Sequence, residues 1–392
     1  MKLDEIRALD QKYFMNTFGQ RMPVAFDHGK GAKLYDTEGR EYTDFFAGIA
    51  VNSLGYGHPK IVAAMVEQMT KVCHTSNLYY VEPQAKLAQL LVENTFADKV
   101  FFGNSGAEAN EGCIKLACKY FYEKGEDRWE IISAANSFHG RTLATLAATG
   151  QEVFHKDFGP FPGNFVYLPA GDFDALTAAD DGTLCAVVME LVQGEGGVVA
   201  LDVDYVHAVA DYCKAHDILL VVDEVQTGVG RTGTFLACQH YGLKPDIVTL
   251  AKGLGGGLPI GAVLMTEAVA AGMGPGSHGS TFGGNPVCCA GALAVLETMD
   301  DAFMDNVNAR AAQLRRGLAA LPHVTAVSGL GLMVGIQLDD TRRAAEVRAA
   351  CEKAGLLVLT AKTRLRLLPP LILSEADVNA ALAILKDVLE KD

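Results

Sequence analysis

A chain of 392 residues, 49% hydrophobic and 20% charged, is long enough for two to three domains and has the balance of a folded soluble protein rather than a disordered one. Its formal charge of −14 opposes general adhesion to nucleic acid or anionic lipid, so an anionic ligand has to be gripped by a local basic site. No apolar stretch approaches the roughly 20 residues of a membrane-spanning helix. The charged residues 1–10 contain no apolar leader, which points to the cytoplasm. Nine scattered cysteines without a C-x-x-C pair read as reduced, buried thiols, and ten histidines without H-x-x-x-H spacing argue against zinc.

In chain order, residues 31–46 alternate around Thr37-Glu38-Gly39 and predict a hairpin. Between residues 100 and 265, short apolar runs alternate with helical patterns. The runs are 100–102, 130–132, 185–189, 218–222, 246–250 and 261–265, and they predict a parallel sheet covered on both faces. In such sheets ligands bind beyond the carboxyl ends of the strands. The unusual polar clusters fall just there: 103–106, 137–141, 193–197, 223–226 and Lys252. Farther on, strands at 334–338 and 364–368 flank a helix at 341–353. The expectation is an α/β chain with a large domain at 56–290. A smaller α+β domain is built from the segment and hairpin at 1–55 together with 291–392.

Lys252 and Asp223 each close an apolar run. A lysine in such a setting can hold a carbonyl cofactor as a Schiff base, and a carboxylate can keep a pyridine nitrogen protonated. Asp223 follows four apolar residues, an awkward place for an unpaired carboxylate. Ser105, Gly106 and Ala107 open a long helix. Ser105-x-x-Glu108 is a capping box in its own right, and the same turn can also point its amides at a phosphate. Phe138 could stack on a ring or be a core residue, and Arg141 could grip a carboxylate or be a surface charge. Val225 could press the opposite ring face, and Gln226 could donate to a phenolic oxygen. Lys252 could equally be a surface lysine, but five glycines between 253 and 261 allow backbone to approach a ligand closely. Thr281 could donate to phosphate or mark a turn.

Gly228-Val229-Gly230-Arg231-Thr232-Gly233 literally fits the dinucleotide fingerprint G-x-G-x-x-G of a Rossmann oxidoreductase. Its context disagrees, because residues 223–227 separate it from the preceding strand and the candidate acid Asp246 precedes the next one. A catalytically inactive binding protein is disfavoured by the simultaneous presence of lysine, aspartate, phosphate grip and two arginines.

The motifs at 104–111, 138–142, 223–233 and 251–257, with Gly55-Tyr56-Gly57-His58-Pro59 and 366–371, resemble those of the class III, fold-type I pyridoxal phosphate aminotransferases nearly end to end. The resemblance implies pyridoxal 5'-phosphate as cofactor, bound covalently by Lys252, with Asp223 on the ring nitrogen. It implies Ser105, Gly106 and Ala107 on the phosphate, and Phe138, Glu224, Val225 and Gln226 about the ring. Thr281 would reach the phosphate of a neighbouring subunit in a homodimer with shared sites. Arg141 and Ser280 match donor-binding positions. Glu195 and Arg366 resemble a switch in which the glutamate masks the arginine until the α-carboxylate of 2-oxoglutarate arrives. The implied reaction transfers the terminal amine of N2-acetyl-L-ornithine to 2-oxoglutarate, in arginine biosynthesis. Users of ornithine, succinylornithine, succinyldiaminopimelate and 4-aminobutyrate share most of these motifs. Phe18-Gly19 does not supply the tyrosine with which ornithine users meet a free α-amine.

Overall fold

The computed structural model describes residues 1–391. Its centre is a seven-stranded sheet whose strands, in chain order, are β1 (Lys99–Gly103), β2 (Glu130–Ala134), β3 (Phe165–Leu168), β4 (Leu184–Met189), β5 (Leu219–Asp223), β6 (Ile247–Leu250) and β7 (Gly261–Met265). The spatial order is β1-β7-β6-β5-β4-β2-β3. Neighbours from β6 through β3 pair in parallel. Only β7 is reversed, antiparallel to both β6 and β1. The six expected strands are all present, with one of them turned round. β3 was not foreseen, because this edge strand is only half-buried and follows a loop rich in glycine and proline rather than an apolar run.

Alternation along the strands builds two cores. Leu220 and Val222 join the cluster on one face, with Val187, Val248 and Leu264. Leu219 and Val221 join the other, with Ala186, Val188 and Val263, beneath the helix Gly106–Glu123. That helix buries Ala109, Cys113, Ala117 and Phe121, a four-residue spacing that puts one face on the sheet. The period of two therefore turns Asp223, at the end of β5, toward the same helix.

The two ends of the chain meet. Strand Leu356–Leu357 pairs in parallel with Glu41–Asp44, which closes a sheet begun by the hairpin strands Lys33–Asp36 and Glu41–Asp44. Ala32 and Phe45 share a hydrophobic cluster with Val307, Val334, Leu365 and Leu385. The expected strands near 334 and 364 are Met333–Leu338 and Arg364–Leu367, which pair antiparallel. The helix between them begins at Ala344 rather than Thr341, because Asp339 captures the Thr341 amide and hydroxyl in a local turn. Among the described residues no helix is long and apolar enough to cross a membrane.

Candidate active site

The carboxyl ends of β1, β2, β4, β5 and β6 border a cavity of about 500 Å³, within the usual range for a small-molecule site. The helix Gly106–Glu123 starts at its edge. Ser105 is the N-cap and accepts the Glu108 amide at 3.1 Å. Glu108 does not complete the expected box. Its carboxylate reaches one residue farther back, to the backbone and side-chain nitrogens of Asn104 at 2.6 and 2.8 Å. Ser105, Gly106 and Ala107 all line the cavity, so the amide end of an 18-residue helix faces it.

Asp223 lies opposite, buried under that helix. One oxygen, Oδ2, accepts the side-chain amide of Asn110 at 2.8 Å and His139 Nδ1 at 2.7 Å, while Oδ1 accepts the Val225 amide at 3.0 Å. Burial pushes this carboxyl up, but the bond and charge of His139, with the two amides, outweigh it and hold Asp223 below the usual carboxylate range. Asp223 is thus an anion poised at the cavity wall.

Lys252 sits just after β6 with a left-handed backbone, φ 42°. Burial, and then the positive charge of Arg366, bring its amine down from 10.5 to about 8. Such an amine is half neutral near pH 8, so a far larger share of it is the nucleophilic free base than for an ordinary lysine. Phe138 and Val225 line the same space. Arg141 stands at the mouth, its guanidinium 3.8 Å from the ring centre of Phe154 and 5.5 Å from that of Phe138. Those two rings meet edge to face at 6.1 Å.

Arg366 is 2% exposed and is covered by its partners: Nη1 donates to Glu195 at 2.7 Å and Nη2 to the Gln226 side-chain oxygen at 3.0 Å. Holding that oxygen leaves the Gln226 NH2 as a donor to the cavity. Glu195 lines the cavity and Arg366 does not.

Besides Arg366, three expected positions fall outside the cavity. The Glu224 carboxylate turns away to accept the amides of Ala237 and Cys238 at 2.7 and 2.8 Å and the Thr227 hydroxyl at 3.0 Å, so its side chain braces a loop. Consecutive strand-end residues face opposite ways, and Asp223 holds the cavity side. Ser280 stands behind Asn104, linked to its side chain at 3.1 Å, and Thr281 is exposed on a neighbouring loop. Residues at the cavity that were not foreseen include Asn110, His139 and Glu190. His139 lay in a motif already singled out. Glu190 directly follows six buried residues of β4, the same signal that marked Asp223.

The sequence profile of the Aminotransferase class-III family matches residues 14–389. The chain belongs to that family. Among class-III relatives it is similar to the acetylornithine aminotransferase of Haemophilus ducreyi, 50% identical over the whole of both chains. It is likewise similar to that of Caldanaerobacter subterraneus subsp. tengcongensis, 48% identical over 97% of this chain and 98% of the other. Of solved structures, the ornithine aminotransferase of Toxoplasma gondii superposes with a TM-score of 0.94 at 31% identity, covering 99% of this chain and 95% of that one. A Bacillus anthracis aminotransferase gives 0.91 at 30% identity, covering 100% and 99%.

As a class-III aminotransferase the protein uses pyridoxal 5'-phosphate, and the cavity fits that group. A buried anion, a neutralised amine and a helix amino terminus match its ring nitrogen, aldehyde and phosphate in kind. At Gly106 an added Cβ would lie 2.7 Å from Val225 Cγ1, so only glycine lets the amide turn and the ring wall pack together.

Proposed function

We propose that this protein is a cytoplasmic, homodimeric acetylornithine aminotransferase. It moves the terminal amine of N2-acetyl-L-ornithine to 2-oxoglutarate, yielding N-acetyl-L-glutamate 5-semialdehyde and L-glutamate. The single observation that carries the reading is the pair of guanidinium groups on one site, Arg141 open at the mouth and Arg366 masked by Glu195. A donor with one free carboxylate needs only Arg141. A dicarboxylic acceptor needs both, and its second carboxylate can displace Glu195 from Arg366 in a bidentate contact. The choice of acetylornithine over ornithine is supported by full-length relatives of that name at 44–50% identity.

Bound in the cavity, pyridoxal 5'-phosphate supplies an aldehyde that receives the amino group and a ring that withdraws electrons from the adjacent carbon. Ser105, Gly106 and Ala107 hold the phosphate, and Asp223, kept ionised by His139 and Asn110, holds the ring nitrogen protonated. Phe138 and Val225 clamp the ring, while the Gln226 amide donates to its phenolic oxygen. Lys252 Nζ would hold the aldehyde and would move the proton from the terminal carbon of the donor. Arg141 orients the donor through its α-carboxylate.

Residues 56–290 form the cofactor-binding unit in this reading, and 1–55 with 291–392 form the smaller one. Thr281, exposed and outside its own cavity, would reach the phosphate of a second copy, with Ser280 serving the donor from the same loop. Exposed Leu78, Tyr79, Tyr80 and Phe282 supply apolar surface for that contact. Nine free thiols suit a reducing compartment.

The test is the visible spectrum of purified protein with N-acetylornithine, ornithine and 4-aminobutyrate in parallel. Bleaching of the cofactor band by N-acetylornithine, reversed by 2-oxoglutarate, is expected. A stronger response to another amine would move the substrate and leave the chemistry in place.

A further inference from the structure

The loop 228–233 fits G-x-G-x-x-G, yet none of its residues lines the cavity. Its contacts go to the carboxy-terminal region. Asn308, on the helix Asp301–Ala319, donates to the Gly233 carbonyl at 3.0 Å, and an added Cβ on Gly233 would lie 2.1 Å from the Asn308 side-chain oxygen. Arg231, 1% exposed, buries a cation at the same junction. Its Nη1 donates to the carbonyls of Leu332 at 3.2 Å and Pro369 at 2.5 Å, and its own carbonyl accepts the Leu332 amide at 3.1 Å. Among the described residues, its Nε and Nη2 have no hydrogen-bond partner. A buried guanidinium so sparsely paired is unfavourable, and an apolar side chain would fill the space with less penalty. Packing alone does not account for it.

Leu332 immediately precedes the strand Met333–Leu338, and Pro369 lies just beyond the strand Arg364–Leu367. These strands pair with Gly335 opposite Arg366. One nitrogen thus pins adjacent ends of both strands that carry Arg366, and it does so from the segment that carries Asp223 and Gln226. We propose that Arg231 is a positioning residue for Arg366 and so sets the affinity for the dicarboxylic acceptor. The inference rests on the reading that Arg366 receives a carboxylate of that acceptor once Glu195 gives way. A bidentate grip tolerates little displacement, because both N–H groups must point at the carboxylate oxygens. When Glu195 parts from Arg366, the strand beneath has to keep its place by contacts that the acceptor does not disturb. Arg364 donates to the Gly197 carbonyl at 3.0 Å, but that carbonyl belongs to the turn that carries Glu195. The Arg231 clamp is independent of that turn.

The experiment measures the two half-reactions apart on the holoenzyme, as loss of the visible cofactor band with N-acetylornithine and its return with 2-oxoglutarate. Arg231→Lys keeps a charge for the buried Asp44, whose carboxylate opposes the downward push of burial on Arg231, and loses the planar fork. The half-saturating concentration of 2-oxoglutarate should rise about tenfold, with its limiting rate and the donor half-reaction little changed. Asn308→Ala, which cuts the other tie of the loop, should leave the acceptor constant where it was. An unmoved acceptor constant in Arg231→Lys overturns the proposal. So does an equal loss in both half-reactions, or the same rise in Asn308→Ala, since either would mark general loosening. If Arg231→Lys does not fold, the double variant Arg231→Met with Asp44→Asn removes both buried charges together and is judged by the same outcomes. A wild-type protein that bleaches with the donor and does not regain its band with 2-oxoglutarate would instead overturn the acceptor reading, and this inference with it.

Discussion

At the scale of single residues, the amine of Lys252 is made reactive by its surroundings. A non-glycine residue at positive φ costs on the order of 1–3 kcal/mol and persists only where the structure around it enforces the shape. Here it follows β6 and precedes the glycine run that packs below the cavity. Because the amine reacts only when deprotonated, the rate at which apoprotein captures pyridoxal 5'-phosphate should rise through about pH 8 and level off above it. A lysine at its ordinary 10.5 would keep accelerating far beyond that, and such a profile would contradict the assignment. Lys252→Ala should abolish transamination while the fold survives, checked by turnover beside circular dichroism. Asp223 and Lys252 were legible in the sequence because each breaks an apolar run with a charge. Asn110 was not, since nothing local marks a helical asparagine whose carboxylate partner is 113 residues away.

At the scale of elements, β7 and the Gly106–Glu123 helix meet back to back. Gly261 opens β7, and an added Cβ there would lie 2.2 Å from the Ser105 carbonyl oxygen. Backbone cannot yield as a flexible side chain does, so Gly261→Ala should push Ser105 and its amides out of place. The expected outcome is a cofactor dissociation constant raised about tenfold or more, roughly the loss of one charge-assisted hydrogen bond, with donor KM changed far less. Equal loss in both would show a general collapse of the site. The run that became β7 was plain in the sequence, but its reversal was not, because apolar periodicity reports burial and carries no direction. The hairpin at residues 31–46 was legible from its turn. Its strand partner, Leu356–Leu357, was out of reach of any local pattern.

At the scale of the whole molecule, the proposed homodimer would place Thr281 and Phe282 at its contact. Thr281 and Phe282 are exposed on the loop before the helix Pro286–Leu296, and Phe282 is 59% exposed. Phe282→Asp should therefore yield monomers by sedimentation, with cofactor affinity falling in step because Thr281 no longer reaches a neighbour. A stable monomer that binds cofactor as tightly as the wild type would refute the shared site. The motif set made the family and most of the cavity legible across the full length of the chain. It did not say which way the Glu224 side chain turns, since adjacency in sequence does not tell which of two neighbours faces the cavity.

The contact between Glu195 and Arg366 joins residues 171 positions apart, one from the rim of the central sheet and one from an antiparallel strand of the carboxy-terminal region. Parting them would remove one of several ties between the two regions, since Arg366 still donates to Gln226 and Arg364 to the Gly197 carbonyl. Under the proposed function, admission of the second acid would then be a mechanical event as much as a chemical one. An enzyme that told its two substrates apart by drawing such a bolt would have no need to recut the lock, and the same cavity could serve both halves of the cycle.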